Sequence, residues 1–125
     1  QQRLANFANV RFEQGDMHQL PLANDSFDTI LMLHALTYTR RPEAVFSEVR
    51  RVLRKGGLLL AVTLARHRHE KAVAPYGHKN LGFQEQELQA LCEAGGLEVM
   101  HCAIDTVEKR PPNFAVITLL AAHTA

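Results

Sequence analysis

Phe27-Asp28-Thr29-Ile30-Leu31-Met32-Leu33 and, some two dozen residues on, Gly57-Leu58-Leu59-Leu60-Ala61-Val62-Thr63-Leu64-Ala65 decide the fold of this 125-residue chain. Each run is of strand length and almost continuously apolar, the pattern of a strand covered on both faces in a parallel sheet. Between them, Pro42 suits the first turn of a helix, and Val45, Phe46, Val49, Val52 and Leu53 recur at i, i+1, i+4, i+7 and i+8 up to Gly56-Gly57. The sequence therefore predicts a helix that ends at this glycine pair. Strand, helix and strand make a βαβ unit, and its right-handed crossover makes the two runs parallel neighbours. Helices are expected on both sides of the sheet.

Working outward, Val10 to Gln14 alternates apolar with polar residues and ends at Gly15-Asp16, which reads as a short half-buried strand. Leu20 to Asn24, with Pro21 and the turn formers Asn24-Asp25-Ser26, connects it to the first apolar run. Downstream, Arg66 to Asn80 is polar and carries Pro75 and Gly77, so it reads as an irregular loop long enough to act as a lid. Gln84 to Ala94 places Leu88, Leu91 and Cys92 at helical spacing before Gly95-Gly96. Leu97 to Ile104 and Phe114 to Ala122 read as strands, antiparallel because only a short connection through Pro111-Pro112 joins them. No repeat, linker or low-complexity tract breaks residues 1–125, so one domain is expected.

A content of 46% hydrophobic and 22% charged residues is that of an ordinary globular domain, and a formal charge of +1 excludes a global pull on polyanions. Arg40, Arg41, Arg50, Arg51, Arg54 and Lys55 lack the aromatic interleaving of a nucleic-acid surface, and Arg50, Arg51 and Arg54 fall opposite the apolar helix face, where solvent is expected. Cys92 and Cys102 have no CxxC spacing and read as buried thiols of a reducing, cytoplasmic compartment. No apolar run reaches membrane-spanning length. His67, His69, Glu70 and His78 share one loop but lack a second spaced pair, so no metal is expected.

Val10 to Asp16 (VRFEQGD), Leu20-Pro21, Ser26-Phe27-Asp28 and Arg51 to Leu60 (RVLRKGGLLL), in this order and with Gly82-Phe83 opening a later helix, resemble class I S-adenosylmethionine-dependent methyltransferases of the methyltransferase type 11 kind. Gly77-His78 and Leu81-Gly82-Phe83 further resemble such domains fused to winged-helix regulators of the arsenic-repressor type. The resemblance implies an α/β fold, an incomplete Rossmann-like class I methyltransferase sheet, mostly parallel with a C-terminal antiparallel strand pair. It implies S-adenosylmethionine across the carboxyl ends of the strands, as in open α/β sheets generally. Carried over, Asp16 would accept a hydrogen bond from the adenine amino group, and Met17 would offer its backbone N–H and side chain to the ring. His34, which follows the apolar strand directly, would emerge beside the methyl group and is the candidate catalytic residue, with pocket contact expected ahead of proton transfer. Tyr38, Tyr76 and His78 are candidates for closing over a small-molecule acceptor. Asp28, at the strand's entrance, is expected to be structural.

The family holds the methionine part of its cofactor on a G-x-G loop, and no G-x-G occurs in the sequence. The chain therefore reads as the C-terminal portion of a methyltransferase domain without the first strands, expected by itself to bind S-adenosylmethionine weakly or not at all and to transfer no methyl group. The gap leaves sheet edges that either close up, the Val10 strand against the Thr29 strand, or pair between copies into a homo-oligomer. A second reading is a sensor of S-adenosylmethionine or S-adenosylhomocysteine within a transcriptional regulator, where any nucleic-acid contact would belong to an N-terminal regulator domain.

Overall fold

The computed structural model describes residues 23–124. The Val10 strand, Asp16 and Met17 lie outside the described residues. The first strand, β1 (Phe27–Leu33), leads through a 3-10 turn (Leu36–Tyr38) to helix α1 (Pro42–Val52) and to β2 (Leu53–Leu64). Next come a single helical turn, α2 (Glu70–Val73), and a 3-10 turn (Ala74–Tyr76). Helix α3 (Glu85–Ala94), β3 (Glu98–Val107) and β4 (Ala115–Ala122) complete the described order.

The sheet runs β1-β2-β4-β3, with β1 parallel to β2 and β4 antiparallel to both β2 and β3. The expected parallel pairing of the two apolar runs is thus observed, Leu31 opposite Leu60 and Leu33 opposite Val62. Because β4 opposes β2 and β3 alike, β3 points the same way as β1 and β2, and only the last strand is reversed.

Two expectations need correction. First, α1 ends at Val52 rather than at Gly56-Gly57, and Leu53 is already extended (φ −70°, ψ 134°). Leu53 is fully buried and lies opposite Phe27 in the sheet, so the strand takes a residue whose spacing also fitted the helix. Arg54 and Lys55 consequently belong to β2, and Arg54 binds Asp28 at the entrance of β1, which gives that aspartate the structural part expected of it. Nor is the outer helix face simply solvated: Arg50 donates to the Gly96 carbonyl at 3.1 Å, and Arg51 pairs with Glu48 at 2.9 Å and with Asn24 at 2.7 Å.

Second, α1 and α3 pack on the same side of the sheet, around a core that holds Ile30, Met32, Phe46, Leu59, Leu88 and Leu119. The expectation of helices on both sides fails for these residues, and the handedness of crossovers explains why. The chain moves from β1 to β2 and then past β4 to β3, always toward the same edge, and successive right-handed crossovers in one direction deliver their helices to one face. Covering the opposite face requires strands beyond β1 that progress the other way. Leu31, Leu33 and Leu58, which point to that face, are 37%, 61% and 37% exposed among the described residues.

The far edge is blunted. Strand β3 carries two register irregularities, and the Glu85 carboxylate accepts the Ile104 N–H at 2.8 Å, which removes a donor from edge-to-edge pairing. At the amino end of the sheet, the buried His123 ring is 2.7 Å from the Leu53 carbonyl, and its backbone accepts from Gly56 N–H and donates to the Gly57 carbonyl. This clasp ties the end of β4 to the start of β2. Cys92 is buried and Cys102 half-buried, both as free thiols, and burial pushes the Cys92 thiol up to about 12, as expected of an inert core thiol. No helix among the described residues is long and apolar enough to cross a membrane.

Candidate functional site

The chain leaves β1 at His34 in the left-handed region (φ 58°), with its N–H held by the Val62 carbonyl at 2.7 Å. A non-glycine residue in that region is uncommon and costs strain, which makes the turn at the carboxyl edge a place where the fold holds the backbone against its preference. The His34 side chain is exposed. Just beyond it, half-buried Tyr38 meets His78 edge-on, with ring centroids 4.9 Å apart.

Strand β2 ends beside it and launches the long polar segment. Its base is pinned: Arg66 N–H donates to the Phe83 carbonyl (2.8 Å), His67 N–H to the Leu81 carbonyl (2.9 Å), and Phe83 N–H to the Leu64 carbonyl (3.1 Å). The segment therefore leaves and returns through one neck, the form of a compact surface loop with its ends together. It is more ordered than its proline and glycine predict, since residues 70–76 form helical turns ended by Gly77 in a left-handed conformation (φ 78°).

Asn80 fastens the returning arm to the turn after β1. Its amide Nδ2 donates to the Leu36 carbonyl (2.9 Å) and the Thr39 carbonyl (2.7 Å), while its Oδ1 accepts the Gly82 N–H (2.9 Å). Sequence reasoning missed this residue; the only signal was a turn former two places before a glycine. Phe114, from the turn entering β4, was also missed, and its ring lies 4.6 Å from that of His67 and 5.6 Å from that of His69.

The structure thus brings His34, Tyr38 and His78 to one edge, with His67 at the loop neck. Tyr76 lies in the same loop but is 68% exposed. Asp16 and Met17 are outside the described residues, so their place relative to His34 is not part of this geometry. Among the described residues no group of three His, Cys, Asp or Glu side chains is arranged to hold a metal.

Burial holds the His67 imidazole below its ordinary pKa, aided by the charges His69 and His78 would carry, and burial with the neighbouring His34 does the same for His78. Both rings therefore bind protons more weakly folded than unfolded. Between the lowered folded values and about 6.5 the unfolded chain holds more protons, so stability is full above that range and is lost as pH falls through it. We expect the melting temperature to drop between pH 7 and pH 5, and the drop to shrink in the double variant His67→Gln/His78→Gln. A thermal midpoint that rises on acidification would contradict this sign.

Comparison with known proteins agrees with the geometry. Residues 1–61 match the family model described as methyltransferase domain. The chain is 47% identical over 49 residues to a malonyl-[acyl-carrier protein] O-methyltransferase of Laribacter hongkongensis, covering 39% of this chain and 16% of that protein. It is 38% identical over 68 residues to a fatty-acid O-methyltransferase of Mycolicibacterium smegmatis, covering 54% of this chain and 24% of that one. The matched stretches are thus a minor part of these curated relatives. An S-adenosylmethionine-dependent methyltransferase structure from Methanosarcina mazei superposes with a TM-score of 0.69 at 21% identity, over 91% of this chain and 67% of the other. Residues 1–61, just under half of the chain, are thus similar to the methyltransferase domain family, and the β1-β2-β4-β3 sheet is that of the Rossmann-like class I fold.

Proposed function

We propose that this chain is the C-terminal, acceptor-side portion of a cytoplasmic S-adenosylmethionine-dependent methyltransferase acting on a small molecule. The observation that carries the reading is the meeting of the strained His34 turn and the pinned 66–80 loop at the shared carboxyl edge of two parallel strands. Open α/β sheets bind their ligands at that edge. The relatives named above act on acyl compounds, which supports an acceptor with an apolar body.

The residues described do not form a grip for the whole cofactor. A cradle for its methionine part needs glycine backbone at close approach, and the described glycines are spent elsewhere: Gly56 and Gly57 at the amino side of β2, Gly77 and Gly82 in the loop, and Gly95 and Gly96 behind α3. In this reading the cradle lies upstream of Gln1, and the present residues orient the acceptor. His34 contacts the acceptor side of the pocket, and Tyr38, Tyr76 and His78 close over it. The test is calorimetric. Titration of S-adenosylmethionine into this chain should give a dissociation constant weaker than about 1 mM, and a chain extended upstream through a G-x-G loop should bind at least tenfold more tightly. Micromolar binding by the present chain refutes the division of labour proposed.

A further inference from the structure

We propose that the neck of the 66–80 loop binds a carboxylate, with the Nε2–H of His67 and the ring of His78 as its polar contacts; the inference takes from the preceding reading only the location of the acceptor.

Four buried side-chain atoms among the described residues lack a hydrogen-bond partner: Thr37 Oγ1, Thr63 Oγ1, His67 Nε2 and His78 Nδ1. They are not scattered. Thr37 lies in the turn after β1, Thr63 one residue before the end of β2, and the two histidines flank the loop that springs from that end. Folded proteins seldom leave buried polar atoms unpaired, and a group of them at one end of a sheet marks a place where a polar ligand completes the bonding. The two rings also interact, since a charge on His78 is felt at His67 and one on His34 at His78.

The chemistry of the missing group follows from the protons. His67 Nδ1 accepts the His69 N–H at 3.0 Å, so in the neutral ring the proton sits on Nε2, and the unpaired atom is a donor that needs an acceptor oxygen. The loop sequence Arg66 to Asn80 carries Arg66, Arg68, Lys71 and Lys79 against Glu70 alone, a bias toward an anion even with Arg66 engaged by Glu87 at 2.6 Å. A bound anion also offsets the two causes that keep protons off the rings, burial and mutual repulsion. The surroundings favour an anion on an apolar body over a bare one. The Phe114 ring packs at a tilt against His67, and Leu33, adjacent to His34, is 61% exposed. A carboxylate with a hydrocarbon tail meets these requirements.

The test uses the 125-residue chain labelled with 15N, without cofactor, at pH 7, following the imidazole ring signals by NMR. The probes are sodium octanoate, methyl octanoate and inorganic phosphate. Octanoate should shift the His67 and His78 signals saturably, with the ester and phosphate each at least about tenfold weaker. His67→Phe keeps a ring against Phe114 and His78→Phe keeps one against Tyr38, while each removes the polar nitrogens; each should weaken octanoate about tenfold. His67→Gln, whose amide can place an N–H near the Nε2 position, should recover most of the affinity. If a phenylalanine variant loses its native spectrum, the glutamine variants His67→Gln and His78→Gln supply the reading, with retention of affinity expected only for the first.

Equal binding of octanoate and its ester, equal binding of phosphate, unmoved histidine signals, or full affinity in both natively folded phenylalanine variants would overturn the inference. No methyl transfer enters the measurement. Octanoate held at the histidines while a chain extended upstream through a G-x-G loop methylates nothing would sink the methyltransferase reading alone, and turnover by that extended chain on an acceptor without a carboxylate, with these signals unmoved, would sink this inference alone.

Discussion

Replacing Gly82 by alanine is expected to cost about 4 kcal/mol of folding stability, read as a lowered midpoint in equilibrium urea unfolding. Gly82 has φ 90°, which an L side chain rarely adopts. A Cβ there would stand 2.4 Å from the Ala65 carbonyl oxygen and 2.7 Å from that of Leu64. Both obstacles are backbone, and neither is free to retreat. Leu64 pairs with Val116 of β4 and accepts from Phe83 N–H, while Ala65 forms a bridge with Phe83. Relief would require the loop neck to part, so the His67 and His78 ring signals should move in the same variant. A loss below about 1 kcal/mol would mean that the neck is softer than its hydrogen bonds indicate.

The second large effect is expected at Phe46. Its side chain is fully buried, midway along α1, where the helix faces the end of α3. Phe46→Ala should cost about 4 kcal/mol, because loss of transfer energy is joined by a cavity that the neighbours cannot fill. The neighbouring surface has nothing to offer: a Cβ placed on Gly95 would already lie 2.6 Å from the Phe46 Cβ, so backbone meets the ring stem there and no flexible side chain can swing in. Phe46→Leu, which keeps much of the volume, should cost under about 1.5 kcal/mol. Comparable losses in both variants would show that ring shape, and not the void, sets the cost.

The sequence disclosed the β-α-β unit because apolar runs of strand length and a helical spacing cannot easily be mistaken for one another over such intervals. It misled at Leu53, where one residue satisfied both periods and sheet pairing with Phe27 decided the matter. It misled again about the second face, because local patterning shows that Leu31 and Leu33 are apolar but not which side the crossovers reach. That outcome depends on the order of strands, a property of the whole sheet.

The site was partly legible. His34 could be placed at the carboxyl edge from its position after an apolar run, and the histidine-rich loop was visible as composition. The pairings that give the loop its shape were not: Asn80 bonds to residues more than forty positions away, and Phe114 meets His67 across a similar span. Neither partner leaves a local spacing. The roles of Asp16 and Met17 rest on the resemblance, outside the described residues.

Strand β4 is the latest of the described strands in the chain, yet it sits between β2 and β3 and supplies the inner partner of both. During synthesis β2 and β3 must therefore wait, each with an open ladder, until residues as late as Ala122 have left the ribosome. Closing the ladders of β2 and β3 therefore comes late among the described strands, which slows folding and lengthens the interval in which sticky ladders are on view. A nascent chain halted before Phe114 would hold β2 and β3 without the strand that joins them, and it would depend on chaperones until that strand emerges.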